Sequence, residues 1–247
     1  MNIKRSCGVL LPVFSLPSDH GIGTFGKAAY DFIDFLAAAG QSWWQMLPVG
    51  PSGSGDSPYQ SFSSFAGNEY FIDLDMLTAD GLLTKSEVES VSWGEDSGRV
   101  DYEIMRSERG RLLKLAAERG IGLDGQNLDG FIAENASWLP DYALYMALKE
   151  HFGMAAWTEW DEPIRMRASE AVAKYTALLA DDIRRFEYVQ YLFYTQFAAL
   201  RAYAHEKGIG LIGDMPIYVA LDSADIWAQP SFFELDEKNM PTAVAGV

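Results

Sequence analysis

Three short apolar runs, and the unequal distances between them, constrain this chain more than any other feature. Gly8–Phe14 (GVLLPVF) is bounded by SLPSDHG and predicts a strand buried on both faces. Between Gly26 and Gly40, residues Ala29, Tyr30, Phe32, Ile33, Phe35 and Leu36 form an apolar stripe, with Gly40 placed as a left-handed terminator. A second buried strand, Ser42–Leu47 (SWWQML), is stopped by Pro48. Strand, helix, strand predicts a parallel pair and an α/β fold. The third run, Ile209–Ile212, comes about 130 residues later, far beyond an ordinary connection.

The intervening sequence predicts helices over Tyr102–Arg119, Trp138–Phe152 and Pro163–Leu179, a mainly helical inserted subdomain. A long aromatic-rich helix, Asp182–Lys207, then leads into the third strand. The chain of 247 residues matches a typical complete (β/α)8 barrel in length. With about 130 residues in one insertion, however, too few remain for eight units of roughly 30 residues.

Charge and composition exclude several functions. A net charge of −16 without a local basic patch disfavours nucleic acid and anionic lipid, while leaving a neutral substrate unaffected. The single cysteine, Cys7, has no intramolecular partner, and His20, His151 and His205 stand isolated, so no metal site is expected. No apolar run approaches the roughly 20 residues of a membrane span, and the N-terminus lacks a signal-peptide cleavage site. The expected location is cytoplasmic.

Gly21–Gly26 (GIGTFG) matches the dinucleotide fingerprint G-x-G-x-x-G, but its context is wrong. Ser15–His20 separate it from the strand, and the second strand ends in Leu47-Pro48 rather than in an acidic residue for a ribose hydroxyl. It reads as a glycine turn before a helix. Asn135-Ala136-Ser137 is a sequon without meaning in a cytoplasmic protein.

Pro48–Phe65 follows the second strand and is rich in Gly, Ser and Pro; it carries Asp56, Ser57, Tyr59, Gln60 and several further serines. Loops at strand carboxyl ends are where α/β folds place chemistry. A phenol for an apolar sugar face, with hydroxyls, an amide and a carboxylate for its hydroxyl groups, suits carbohydrate; the same residues also suit a turn that caps its own backbone. Asp214 lies directly after the third strand, as a rim carboxylate or as a loop cap. Asp222 precedes and Asp225 lies within Ser223–Trp227, a short helical turn that they are placed to cap.

GVLLPVFSLPSDHGIGTFG, WWQMLPVGP, GDSPYQSFSSFAGNEYFIDL, DYALYMALK, GIGLIGDMPIYVALDSADIWAQPSFFELDE and PTAVAGV occur in order from Gly8 to Val247. Together they resemble the 4-alpha-glucanotransferases, also called amylomaltases or disproportionating enzymes. The resemblance implies the N-terminal part of an α-amylase-type (β/α)8 TIM barrel, with a large helical insertion between strands 2 and 3. It divides the chain into residues 1–70, two βα units with the substrate loop; residues 71–181, the insertion; and residues 182–247, the third unit.

The implied partners are maltooligosaccharides and α-1,4-glucans, without cofactor. The implied reaction is transfer of a glucan segment by retaining double displacement, which needs two carboxyls about 5–5.5 Å apart. By the same resemblance Tyr59 stacks on the sugar beside the scissile bond, while Asp214 and Ser57 line the groove. Ser54 departs from an aromatic that some relatives carry at a remote glucan surface. The family's nucleophile and acid/base fall on later strands, so no catalytic residue is expected before Val247, and the chain alone is expected to be inactive. The alternative is a non-catalytic α-glucan-binding protein.

Overall fold

The computed structural model describes residues 5–53, 55–96 and 98–243. In chain order its elements are β1 (Gly8–Leu10), α1 (Lys27–Ala38), β2 (Trp43–Gln45), α2 (Leu74–Ala79), α3 (Lys85–Glu89), α4 (Tyr102–Ile104), α5 (Gly110–Gly120) and α6 (Gly125–Glu134). They continue with α7 (Leu139–His151), α8 (Glu162–Arg165), α9 (Ser169–Leu178), α10 (Ala180–Glu206), β3 (Gly210–Ile212) and α11 (Ala224–Ala228). The chain forms two compact units. One comprises Met1–Val49, Gly67–Leu123 and Tyr191–Met215; the other comprises Gly50–Ala66, Asp124–Gln190 and Pro216–Val247.

The first unit holds a three-stranded parallel sheet in the order β1-β2-β3, with Val9 opposite Trp44 and Trp44 opposite Leu211. Burial on both strand faces is not what forms. Trp44 is fully buried, but Leu10, Trp43 and Ile212 are 53%, 40% and 41% exposed. A pleated strand sends alternate side chains to opposite faces, and the face of Val9, Trp44 and Leu211 is the better covered, with only Trp44 fully buried on it. Of the predicted α1 stripe, Ala29, Ile33 and Leu36 are fully buried, Tyr30 and Phe32 are half-buried, and Phe35 is 61% exposed, so the apolar face is narrower than expected. Burying Ile33 and Leu36 contributes about 1.5–3 kcal/mol each. Gly40, at φ +68°, ends the helix, and Gln41 N–H donates to Leu36 O at 2.9 Å.

The GIGTFG glycines serve close packing. A Cβ on Gly23 would lie 2.0 Å from the Val13 carbonyl oxygen, and one on Gly26 would lie 1.9 Å from the Asp73 carboxylate. Asp73 accepts from Thr24 Oγ1 at 2.6 Å and caps α2 by accepting from Met76 N–H. The protein itself therefore fills the space that these missing side chains leave.

Tyr102–Arg119 forms a more varied helix than its period predicts, because α4 and α5 are joined by a π-helical turn, Met105–Arg109. That turn carries Arg109, whose side chain is fully buried. Near it, Thr84 and Glu87 form a capping box on α3, and Arg119 grips both Glu87 carboxylate oxygens at 2.8 and 2.6 Å. Arg119 first, then the Thr84 backbone, pulls the Glu87 pKa down to about 2. A depressed carboxylate stabilises the fold fully above the ordinary glutamate range and loses that contribution as pH falls towards its folded value. Glu87→Gln should therefore lower the urea midpoint at neutral pH, with the gap to wild type closing between pH ~5 and ~2. A gap that persists at the acid end would disprove the linkage.

The second unit is helical. Along α7 nearly every residue from Leu139 to Lys149 is buried, as expected of a helix surrounded by protein. Tyr145 packs against Trp160 and Trp227 with ring centroids 5.5 and 5.9 Å apart. Pro163–Leu179 splits into α8 and α9 around Arg167, which adopts φ +54°. The cap of α11 is Ser223, whose hydroxyl accepts from Ile226 N–H at 3.3 Å. Asp222 and Asp225 do not cap the helix through their carboxylates as expected; each is committed to a more distant partner.

Candidate functional site

Ser57 and Tyr59 share one tight loop in the helical unit. Ser52 and Ser61 pair as an isolated antiparallel bridge, and Gly53 N–H donates to Gln60 O at 2.6 Å. Gly55 and Asp56, at φ +85° and +57°, turn the tip. Gln60 N–H donates to Ser57 O at 3.1 Å, and Tyr59 N–H donates to Ser57 Oγ at 3.3 Å. Ser57 thus fixes the backbone that carries the phenol. Tyr59 itself is 46% exposed, a large aromatic presented at the surface. Ser54 lies outside the described residues.

Two of the loop serines cap its own backbone, as the turn reading expects. Ser61 Oγ donates to Ser63 O at 2.7 Å, and Ser63 Oγ accepts from Phe65 and Ala66 N–H at 3.1 and 3.2 Å. These two hydroxyls are engaged in shaping the loop.

Two bonds hold the loop to the α11 region, and neither was legible in the sequence. Ala224 N–H donates to Phe62 O at 2.8 Å, and Ser64 N–H donates to Asp225 Oδ2 at 2.9 Å. Burial raises the Asp225 pKa above the usual aspartate value, opposed by the bond from Ser64. Asp225 and Ser64 are 161 positions apart in the chain, so no local spacing could have paired them.

Asp214 follows β3 in the sheet-bearing unit and is half-buried. It sits two residues past the carboxyl end of a parallel strand, where α/β folds gather polar side chains. No group of three or more His, Cys, Asp or Glu among the described residues is arranged to hold a metal ion. No helix among them is long and apolar enough to cross a membrane.

A parallel sheet with helices, and polar and aromatic side chains on the segments following its strands, defines the chain as an α/β protein. A family model described as 4-alpha-glucanotransferase matches residues 11–247, and the chain belongs to that family. A 4-alpha-glucanotransferase of Streptococcus pneumoniae is 47% identical over 245 residues, which cover 98% of this chain and 48% of the relative. One from Thermus thermophilus is 43% identical over 251 residues, covering 100% of this chain and 49% of the relative. The solved amylomaltase from Streptococcus agalactiae in complex with acarbose superposes with a TM-score of 0.96 at 45% identity, over 99% of this chain and 50% of that one. The chain spans about half the length of the curated relatives it matches.

Proposed function

We propose that this chain is the glucan-binding part of a cytoplasmic 4-alpha-glucanotransferase, which moves a segment of an α-1,4-glucan to an acceptor sugar. The carrying observation is the near-complete match to an amylomaltase solved with acarbose, at a TM-score of 0.96. In this reading the sheet is the first part of a (β/α)8 barrel. Residues 1–70 supply two barrel units and the substrate loop, 71–181 the insertion, and 182–247 the third unit. The exposed edge-strand residues Leu10 and Ile212, and the exposed run Met215, Ile217 and Tyr218, support further barrel strands packing there.

Tyr59 stacks on a sugar ring with Ser57 beside it on the same loop, and Asp214 serves as a glucan-binding carboxylate of the sheet-bearing unit. The reaction is a retaining double displacement whose nucleophile and acid/base lie outside these 247 residues. Transfer in place of hydrolysis then requires an acceptor hydroxyl to outcompete water, which a site that binds sugar and restricts water achieves. No metal or organic cofactor takes part.

Incubating the chain with maltotriose should release no glucose and form no longer maltooligosaccharides. Maltotriose affinity, measured by calorimetry, should fall at least about tenfold in Tyr59→Ala. Robust disproportionation by the chain alone would overturn the division of labour. Unchanged affinity in the variant would overturn the role of Tyr59.

A further inference from the structure

The sheet-bearing unit contains a cavity of about 540 Å³ that shares no residue with the Tyr59 loop. Its polar walls are Asp19, His20, Asp75, Thr78 and Lys85, and the indole of Trp93 forms one side. Val88 and Val91 add apolar surface, and Glu89 completes the rim. The volume is in the range of small-molecule sites, about 300–1,000 Å³.

Two side chains lie against Trp93. The Arg109 guanidinium carbon lies 5.9 Å from its ring centroid, and the His20 ring meets it edge-on at 5.9 Å and 61°. The imidazole is fixed in turn: its Nε2 lies 3.1 Å from Asp75 Oδ1, and an ionised carboxylate only accepts, so Nε2–H donates. Thr78 Oγ1 donates to Leu74 O at 2.9 Å, which leaves its oxygen as an acceptor. The result is an aromatic face beside hydrogen-bond donors and acceptors.

The charges on these walls select the ligand. Lys85 Nζ lies 3.4 Å from Glu89 Oε1, so that opposite charges compensate within the wall, as His20 and Asp75 do when the imidazole is protonated. An anionic ligand would meet Asp19, Asp75 and Glu89 together, on a chain whose net charge is already −16. A neutral ligand with an apolar face and many hydroxyls meets no such penalty. Its C–H face can lie on the indole while its hydroxyls reach the walls. Trp93 and Asp19 also border an adjoining cavity of about 730 Å³, with Phe14 and Pro17 on its wall, which gives an extended ligand further room beside the indole.

We infer that this cavity is a second carbohydrate site, taking an α-glucan segment with Trp93 as its stacking platform. The inference rests on the glucan reading above and adds to it a second place where the same polymer is held. Two such sites on one chain would raise the effective concentration of a long glucan over a short one.

Calorimetric titration of maltoheptaose into the chain and its variants tests this. Wild type should bind two equivalents; Trp93→Ala should lose one of them, Tyr59→Ala the other, and Trp93→Phe should keep part of the affinity. Asp75 is 79% exposed in its side chain, so Asp75→Ala should fold as wild type does and weaken only the Trp93 event. It decides the matter if Trp93→Ala fails to fold. A single equivalent, lost in Tyr59→Ala and unchanged in Trp93→Ala and Asp75→Ala, overturns the second site and leaves the first. A single equivalent lost in Trp93→Ala and kept in Tyr59→Ala upholds the second site and removes the role of Tyr59. Absence of any maltoheptaose binding by the folded wild-type chain overturns both.

Discussion

Replacing Asp222 with alanine is expected to destabilise the helical unit by up to about 3–5 kcal/mol, because it leaves a buried cation without its countercharge, although the Asp222 side chain itself is 33% exposed. Its partner, Lys149, has a side chain only 1% exposed and places Nζ 2.6 Å from Asp222 Oδ2. The ammonium donates also to Met154 O and Ala155 O at 3.0 and 2.9 Å, which fills all three of its donor positions. On the other oxygen, Asp222 accepts from Tyr145 OH at 2.6 Å and from Trp157 N–H at 3.2 Å. Burial, and secondarily Asp222, raises the Tyr145 pKa, so the phenol remains a donor. Alanine would strand a buried cation and two donors at once.

With total stabilities of about 5–15 kcal/mol, such a loss removes much of the margin that keeps a unit folded. Asp222→Asn keeps an acceptor but no countercharge and should fall between wild type and alanine. The double variant Asp222→Ala/Lys149→Met should recover part of the loss, because no charge is then left buried without a partner. Urea unfolding followed by tryptophan fluorescence reads all three. An Asp222→Ala midpoint equal to wild type would refute the account, as would a double variant no better than the single.

The second large effect is expected at Arg109, in the sheet-bearing unit. Arg109→Ala should cost about 3 kcal/mol or more, combining lost volume with lost charge-assisted hydrogen bonds. The guanidinium donates to Ile72 O and, at 3.3 Å, to His20 O, so it ties the loop after β1 to the segment before α2. Burial lowers its pKa to about 10, opposed by the nearby charge of Asp73 and Glu69, and it stays cationic at neutral pH. Arg109→Met retains much of the volume but none of the donors, and should lose less than alanine does. Arg109→Lys keeps the charge without the planar fork that reaches two carbonyls together, and should not restore wild-type stability. An alanine variant within about 0.5 kcal/mol of wild type would rule this role out.

These two residues also mark the limit of what could be read from sequence. The α1 stripe was legible because Ala29, Ile33 and Leu36 recur at helical spacing, and Gly40 ends the helix at the predicted place. The three strands were legible as apolar runs, and their parallel pairing followed from the helix between the first two. Asp222 was read as a helix cap because Ser223–Trp227 lies beside it, whereas its partners lie 65 to 77 positions away. His20 was set aside as isolated because Asp75 is 55 positions distant and Trp93 is further still. Ser57 and Tyr59 were found together because a tight loop is a local object, held by bonds between close neighbours in the chain.

The sequence by itself determined the α/β class, the order of the strands and main helices, and membership of the 4-alpha-glucanotransferase family; the strands are shorter than their apolar runs, Gly8–Leu10 giving way to a 3-10 turn at Val13–Ser15. Periodicity, capping and turn chemistry act over a few residues, and long family motifs are themselves strings. Tertiary structure alone decided which strand faces are covered, which carboxylates serve as structural anchors, and where a half-buried indole borders a polar cavity. Those outcomes depend on desolvation and on partners many tens of residues apart, and both are created only when the chain closes on itself.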